Sequence, residues 1–270
     1  MKMFFPICLA MAAMSSLFAS QPVMKRLGYG RDWVYQPILI NGEKVFQSRV
    51  GNAFEQRYET IKQILSRIDG PFTVLDLGAN NGYFSLRIAH DFDAVCVLVD
   101  GTERLSDICT LNTDTNRLIH IQKYFKKNDI RELARREHFD VVLALHVLHH
   151  VDDWMTWVNT LFELGDEVII ETPSVNDPIN QFPRTKQLAI YLTSLSNGVE
   201  IGRFPRKEDF DHMLWFSQRG RSTGRVGILP STFLHLSTGG YPKKSYVEEL
   251  NRKFGTDKWV LQGIDYTPLR

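Results

Sequence analysis

The sequence predicts an α/β fold, a mostly parallel sheet with helices on both faces, and three observations carry that reading. Short apolar runs alternate with helical stretches of about ten residues from Ala53 to Pro173. A glycine turn, Gly78-Ala79-Asn80-Asn81-Gly82, directly follows the first buried run. The next run, Ala94 to Val99, closes on an acid, Asp100. Strand, glycine turn, helix, strand and carboxylate form the first half of a nucleotide-binding α/β unit.

Each element has its own signal. Phe54, Tyr58, Ile61, Ile64, Leu65 and Ile68 recur at helical spacing, and Gly70-Pro71 ends that helix. Phe72-Thr73-Val74-Leu75 opens the first buried strand. Gly82 to Ala89 reads as the helix after the turn, with Phe84, Leu86, Ile88 and Ala89 apolar. Strand two is Ala94 to Val99, helix Leu105 to Leu111 follows, and Leu118 to Ile121 is a short third strand. Ile130 to Arg136 is a charged helical piece before strand four, Val141 to Leu145. Met155 to Leu164 is amphipathic, and Glu167 to Ile170 is strand five. After Glu171-Thr172-Pro173 the alternation stops. Residues 174–245 are richer in Pro, Gly, Ser and Arg, with one clear helix near Thr185 to Leu195. Trp215-Phe216 within them is read as core packing or pocket lining, Lys243-Lys244-Ser245 as the start of another helix, and Trp259-Val260-Leu261 as a last strand.

At 270 residues, with 43% hydrophobic and 23% charged residues, the chain has an ordinary globular composition. A net charge of +1 gives no global argument for nucleic acid or membrane electrostatics. Cys8, Cys96 and Cys109 lack the spacing of a disulfide scaffold or zinc site. Lys2 precedes a mostly apolar stretch, Met3 to Ala19, which has the pattern of a secretory signal. Two other readings stay open for residues 1–23: a membrane anchor, or an extension ahead of a true start at Met24. For an anchor, Lys25, Arg26 and Arg31 would hold the following domain on the cytoplasmic side.

The glycine turn is not a dinucleotide fingerprint, because Asn80 stands where a second glycine is required. Asp76-x-Gly78-x-Asn80-x-Gly82 instead resembles motif I of the class I S-adenosylmethionine-dependent methyltransferases. Asp100 and the phrase Phe139-Asp140-Val141-Val142 match that superfamily too, over about residues 53–173. The resemblance implies a Rossmann-like, mostly parallel seven-stranded sheet and S-adenosylmethionine as cofactor. Gly78 and Gly82 would admit its methionine part, with Asn80 tolerating the turn and reaching the carboxylate. Asp76 would sit near the ammonium group, and Asp100 would accept from both ribose hydroxyls. Asp129 matches, by spacing alone, a position that often contacts adenine; its other reading is a helix cap before Ile130. Residues 24–270 would form one methyltransferase domain, with acceptor-side elaboration from about residue 174.

His146-Val147-Leu148-His149-His150 follows strand four, where sheets of this kind gather ligands. His146, nearest the strand end, is the first candidate for a cofactor or substrate contact. One of His149 and His150 is a candidate general base, since imidazole titrates near operating pH. Packing against the sheet is the alternative for each. Completed by Asp152 or Asp153, the set also has the composition of a metal site, but the rings need not align and no metal is expected. Asp152 and Asp153 read more simply as first-turn acids of the next helix.

Glu171, at the end of strand five, and Arg221, in the loop Arg219-Gly220-Arg221-Ser222-Thr223-Gly224-Arg225, are candidate acceptor-binding residues. The expected activity is O-methylation of a small molecule or glycan, with an acidic or phosphorylated acceptor favoured by the arginines. A tRNA acceptor is weakened by the balanced charge. A non-catalytic binding module keeps the cofactor residues but not the chemistry. Because S-adenosylmethionine is a cytosolic metabolite, the domain is expected in the cytoplasm or anchored facing it, although the signal-like start leaves export open.

Overall fold

The structure is a computed structural model that describes residues 25, 27, 34–112, 117–173, 183–206 and 209–217. Two short strands, β1 (Ile38–Ile40) and β2 (Glu43–Phe46), precede helix α1 (Ala53–Leu65). Alternation then runs through β3 (Phe72–Leu77), α2 (Tyr83–Asp91), β4 (Ala94–Asp100), α3 (Glu103–Leu111), β5 (Leu118–Gln122), α4 (Lys127–Arg136) and β6 (Phe139–Leu145). A 3₁₀ turn (Leu148–His150), α5 (Trp154–Leu164), β7 (Gly165–Thr172), α6 (Pro183–Ser194), β8 (Gly198–Arg206) and β9 (Asp209–Ser217) complete it.

The large sheet has seven strands in the order β5-β4-β3-β6-β7-β9-β8. β3, β4, β5, β6 and β7 are parallel, and β9 adds antiparallel to β7 and to β8. The predicted, mostly parallel seven-stranded sheet is therefore present. Its last two strands lie at 198–217, inside the span whose composition reads as irregular. Trp259 to Leu261 and residues 243–245, where a strand and a helix start are expected, lie outside the described residues. Glycine misled the reading of the hairpin: a Cβ on Gly198 would come within 2.5 Å of the Phe216 ring, and one on Gly202 within 2.8 Å of Phe204. These glycines make room for aromatic rings, Phe216 on the facing strand and Phe204 two residues along the same one, and mark no loop.

Successive residues of the central strands feed opposite faces. Val74, Val141, Leu143 and Ile169 pack with Tyr58, Ile61 and Ile88 under α1 and α2. Leu75, Val142, Ala144 and Ile170 pack with Leu133, Trp157, Leu161 and Leu192 under α4, α5 and α6. Both faces are covered, so the strands read as unbroken apolar runs. The strand order reverses between β3 and β6, and the crevice at their carboxyl ends is where such sheets bind ligands. Among the described residues no helix is long and apolar enough to cross a membrane.

Asp140, from the phrase preceding strand four, pins the start of β6 to β3. Its carboxylate accepts from Thr73 N at 2.7 Å and Thr73 Oγ1 at 2.8 Å, while Asp140 N donates back to Thr73 Oγ1 at 3.1 Å. Asp140→Ala leaves a buried backbone donor unpaired. Urea unfolding at neutral pH is expected to show a loss of about 1–3 kcal/mol, and unchanged stability would show that the strands need no such tie.

Candidate functional site

Between β3 and α2 the backbone is left-handed at three positions, Gly78 (φ 73), Asn80 (φ 55) and Gly82 (φ 74). Glycine is required at the outer two. A Cβ on Gly78 would meet the Val147 side chain at 2.8 Å, and one on Gly82 would meet Leu98 at 2.9 Å. Asparagine is among the few other residues that enter this region readily, which fits Asn80. Two neighbours hold the turn. Gly78 N and Ala79 N donate to Val99 O, and Asn80 N donates to Asp100 Oδ2 at 2.9 Å. Asp100 Oδ1 accepts from Thr102 N, so each oxygen of this carboxylate takes one backbone donor. A carboxylate has about four acceptor sites, which leaves capacity for ribose hydroxyls.

Gly82 is the N-cap of α2 and has no side chain with which to cap it. Gln36, buried, supplies the missing acceptor from 45 residues upstream: its Oε1 takes Asn81 N at 2.8 Å and Tyr83 N at 3.2 Å. Asn81 Nδ2 donates back to Gln36 O at 2.7 Å. The sequence reading missed this residue. Asn41-Gly42 was a usable signal, since it makes a hairpin turn at φ 48 and 76 and so orders the segment carrying Gln36.

A cavity of about 630 Å³ opens at this edge, lined by Asp76, Gly78, Asn80, Asp100, Gly101, His146, His149, His150 and Glu171, with Tyr35, Phe54 and Tyr124 as aromatic walls. Asp76, fully buried, accepts from Ser85 Oγ at 2.7 Å. Burial pushes its carboxyl up to about 7, the Asp100 charge adds to that, and the Ser85 hydroxyl opposes it. A bound ammonium would relieve that cost. The Tyr124 ring lies on Gly101, where any Cβ would be 2.3 Å from it. A flat aromatic face beside the Asp100 carboxylate would suit adenine. The donor set and the glycine cradle thus fit S-adenosylmethionine.

Asp129 is a correction. It does not line the cavity; it starts α4, where Oδ2 accepts from Lys126 N at 2.8 Å and Oδ1 from Lys123 Nζ at 2.8 Å. Capping claims the carboxylate that the spacing offered to adenine, and Lys123, Tyr124 and Phe125 face the cavity instead. Arg221 lies outside the described residues, with the rest of its arginine loop.

His146 directly follows β6 at φ 55, and its backbone N–H donates to Glu171 O at 3.1 Å. Its Nε2 stands 3.0 Å from Asp211 Oδ2 and 3.6 Å from Glu171 Oε1. The His149 ring packs edge-on to His146 with centroids 5.7 Å apart, and His150 lies 3.9 Å beyond His149. Burial first, then the neighbouring His146 ring and the Arg184 guanidinium, lower the His150 imidazole below its usual range. Asp153 caps α5 by accepting from Thr156 N at 3.4 Å, as expected, and Asp152 pairs with Arg184.

Sequence reasoning also missed Arg57 and Asp211. Arg57 Nε donates to Glu171 Oε1 at 2.6 Å and Nη2 to Asp211 Oδ2 at 3.0 Å. All three side chains are buried. His146, Glu171 and Asp211 offer ligand atoms within 4.8 Å of one another, a metal-like set. The Arg57 guanidinium already occupies the same two oxygens that approach the ring, so a divalent ion would have to displace a buried cation. Two carboxylates this close would otherwise repel by roughly 3 kcal/mol at a typical protein dielectric.

Two predictions follow from the cofactor end. Asp76 has a folded-state pKa above its unfolded value, so its contribution to stability is present at low pH and is lost as pH rises toward about 7. An ammonium ligand reverses the preference. Calorimetry at pH 6 in buffers of different ionisation enthalpy is expected to show proton release on S-adenosylmethionine binding that Asp76→Asn removes; equal release by both proteins would contradict it. Gln36→Ala strands two buried backbone donors and should weaken S-adenosylmethionine binding about tenfold, within the 1–3 kcal/mol scale of such losses. Wild-type affinity in that variant would show that the loop holds itself.

A family model described as a methyltransferase domain matches residues 51–220, well over half of the chain. No curated protein sequence matches it. Among solved structures, the bifunctional kinase-methyltransferase WbdD superposes with a TM-score of 0.51 at 21% identity, covering 72% of this chain but only 46% of WbdD. The N-terminal domain of EvdMO1, crystallised with SAH and D-fucose, superposes with a TM-score of 0.52 at 13% identity, covering 74% of this chain and 97% of that one. Identities this low demonstrate a shared fold and no more. The family follows from the domain match, and its cofactor fits the cavity described above: the chain belongs to the methyltransferase-domain family of class I S-adenosylmethionine-dependent methyltransferases.

Proposed function

We propose that this methyltransferase O-methylates a hydroxyl of a small molecule or glycan, with His146 as the group that takes the hydroxyl proton. One observation carries the reading: an imidazole whose Nε2 lies 3.0 Å from the Asp211 carboxylate stands in the wall of the cavity that the glycine turn opens onto. S-adenosylmethionine, when bound, supplies an activated methyl group on a sulfonium. A hydroxyl is a weak nucleophile, so a nearby base is useful as the oxygen–methyl bond forms and the methyl–sulfur bond breaks. An amine or thiolate acceptor needs this help less. Glu171 would orient the acceptor by receiving a hydrogen bond, and the Tyr35 and Phe54 rings would face its apolar parts.

A glycan acceptor is an extension of this proposal; a sugar is the kind of ligand that one structure of the same fold, the N-terminal domain of EvdMO1, was crystallised with. An acidic or phosphorylated acceptor rests on Arg221 and its loop. Within the cavity wall, Arg57 is committed to two carboxylates and Lys123 to Asp129, which favours a neutral hydroxyl there. His149 and His150 are then the floor beside the base. A cytoplasmic location, free or anchored, agrees with the supply of the methyl donor.

The test is transfer of labelled methyl from S-adenosylmethionine to a panel of sugars, sugar phosphates, phenols and amines. Label in a base-stable ether of a hydroxylated acceptor is expected, and His146→Asn should lower the rate at least a hundredfold with cofactor affinity kept. Label only on nitrogen, or an undiminished rate in His146→Asn, would refute the reading.

A further inference from the structure

The geometry points to Asp211 and Arg57 as positioning residues for His146, drawn from the sheet-edge hairpin and from the helix ahead of the sheet. This role rests on the O-methylation reading, in which His146 receives the acceptor's proton.

Two carboxylates compete for the ring. Asp211 Oδ2 lies 3.0 Å and Glu171 Oε1 3.6 Å from His146 Nε2, and both acids have side chains only 2% exposed. Arg57 differentiates them. Its Nε takes Glu171 Oε1 at 2.6 Å, which draws Glu171 away from the ring, while the longer contact of Nη2 to Asp211 Oδ2 at 3.0 Å leaves Asp211 the nearer carboxylate. Arg57 itself is fixed: Nη1 donates to Ala53 O at 3.1 Å, and the guanidinium stacks 4.7 Å from the Phe204 ring centroid. Phe204 and Asp211 are partners in the register of the β8–β9 hairpin, so one hairpin supplies both the stack and the carboxylate.

The charge count gives this cluster a direction. Two carboxylates and one guanidinium carry one net negative charge while the ring is neutral, and none once the ring holds the acceptor's proton. The cluster is therefore balanced for the state after proton transfer and favours it electrostatically, as a preorganised site should. Among the described residues, groups facing the ring come from several elements: Arg57 from α1, Glu171 from β7, Asp211 from β9, and His149 and His150 from the 3₁₀ turn. Carboxylate and guanidinium act on the ring with opposite signs, which a purely structural role would not produce.

The test follows the His146 ring signal by proton–carbon NMR across pH, in the full chain with its histidines carbon-labelled and S-adenosylhomocysteine bound. The signal is assigned by its loss in His146→Asn. Asp211→Asn is expected to move the titration midpoint down by about one pH unit, and Arg57→Gln to move it up by a similar amount. Should either protein not fold, Asp211→Glu and Arg57→Lys serve as the charge-preserving pair, with midpoints near that of the wild type. Midpoints that stay put, or that shift in the same direction in Asp211→Asn and Arg57→Gln, overturn the positioning role. Misplaced midpoints in the charge-preserving pair also overturn it. Because the titration needs no acceptor, its failure is separate from that of the O-methylation reading, which falls if His146→Asn still methylates hydroxyls at the full rate.

Discussion

From Leu77 to Tyr83 the chain passes from strand to helix through three left-handed residues, and that short turn is the constraint to which the rest of the site is fitted. It bends sharply enough to bring backbone to the crevice at the reversal of strand order. The same sharpness removes its own means of support, since glycines at 78 and 82 carry no side chain to bond the loop or cap α2. Support comes from elsewhere in the sequence: Val99 and Asp100 on β4, and Gln36 ahead of β1. The acid expected to meet the ribose also holds the loop that meets the methionine part. Donor binding and loop geometry are thus coupled through one carboxylate.

The two ends of the cavity solve opposite electrostatic problems. At the donor end Asp76 is buried beside Asp100 with no cation between them among the described residues, an arrangement that a positively charged ligand would relieve. At the other end Glu171 and Asp211 are buried too, but Arg57 is built in. A site with its own cation needs none from the ligand and can spend its remaining negative charge on the imidazole. One cavity therefore asks for a cationic donor at one end and leaves room for a neutral hydroxyl at the other.

Much of this was legible in the sequence because the signals were local. β3, β4, β6 and β7 are buried on both faces and announce themselves as unbroken apolar runs, and the glycine turn declares its own backbone. Asp100 was readable as the acid closing the next strand. Arg57 was not, because a lone arginine on a polar-flanked helix looks solvated and its partners lie 114 and 154 residues away. Asp211 was hidden because it lies in the hairpin whose other strand, β8, carries glycines and a proline that resemble a loop. Asp129 shows the opposite failure: one spacing served two roles, and the local bond to Lys126 N took the side chain.

Methyl transfer at this site requires that a single cavity bring the methyl donor and the His146 cluster together. A crystal structure of the full chain with S-adenosylhomocysteine tests it most directly. The ribose hydroxyls are expected on Asp100 and the sulfur at the end of the cavity that His146 and Glu171 line. A ligand whose sulfur points away from His146, with Asp100 making no ribose contact, would contradict it.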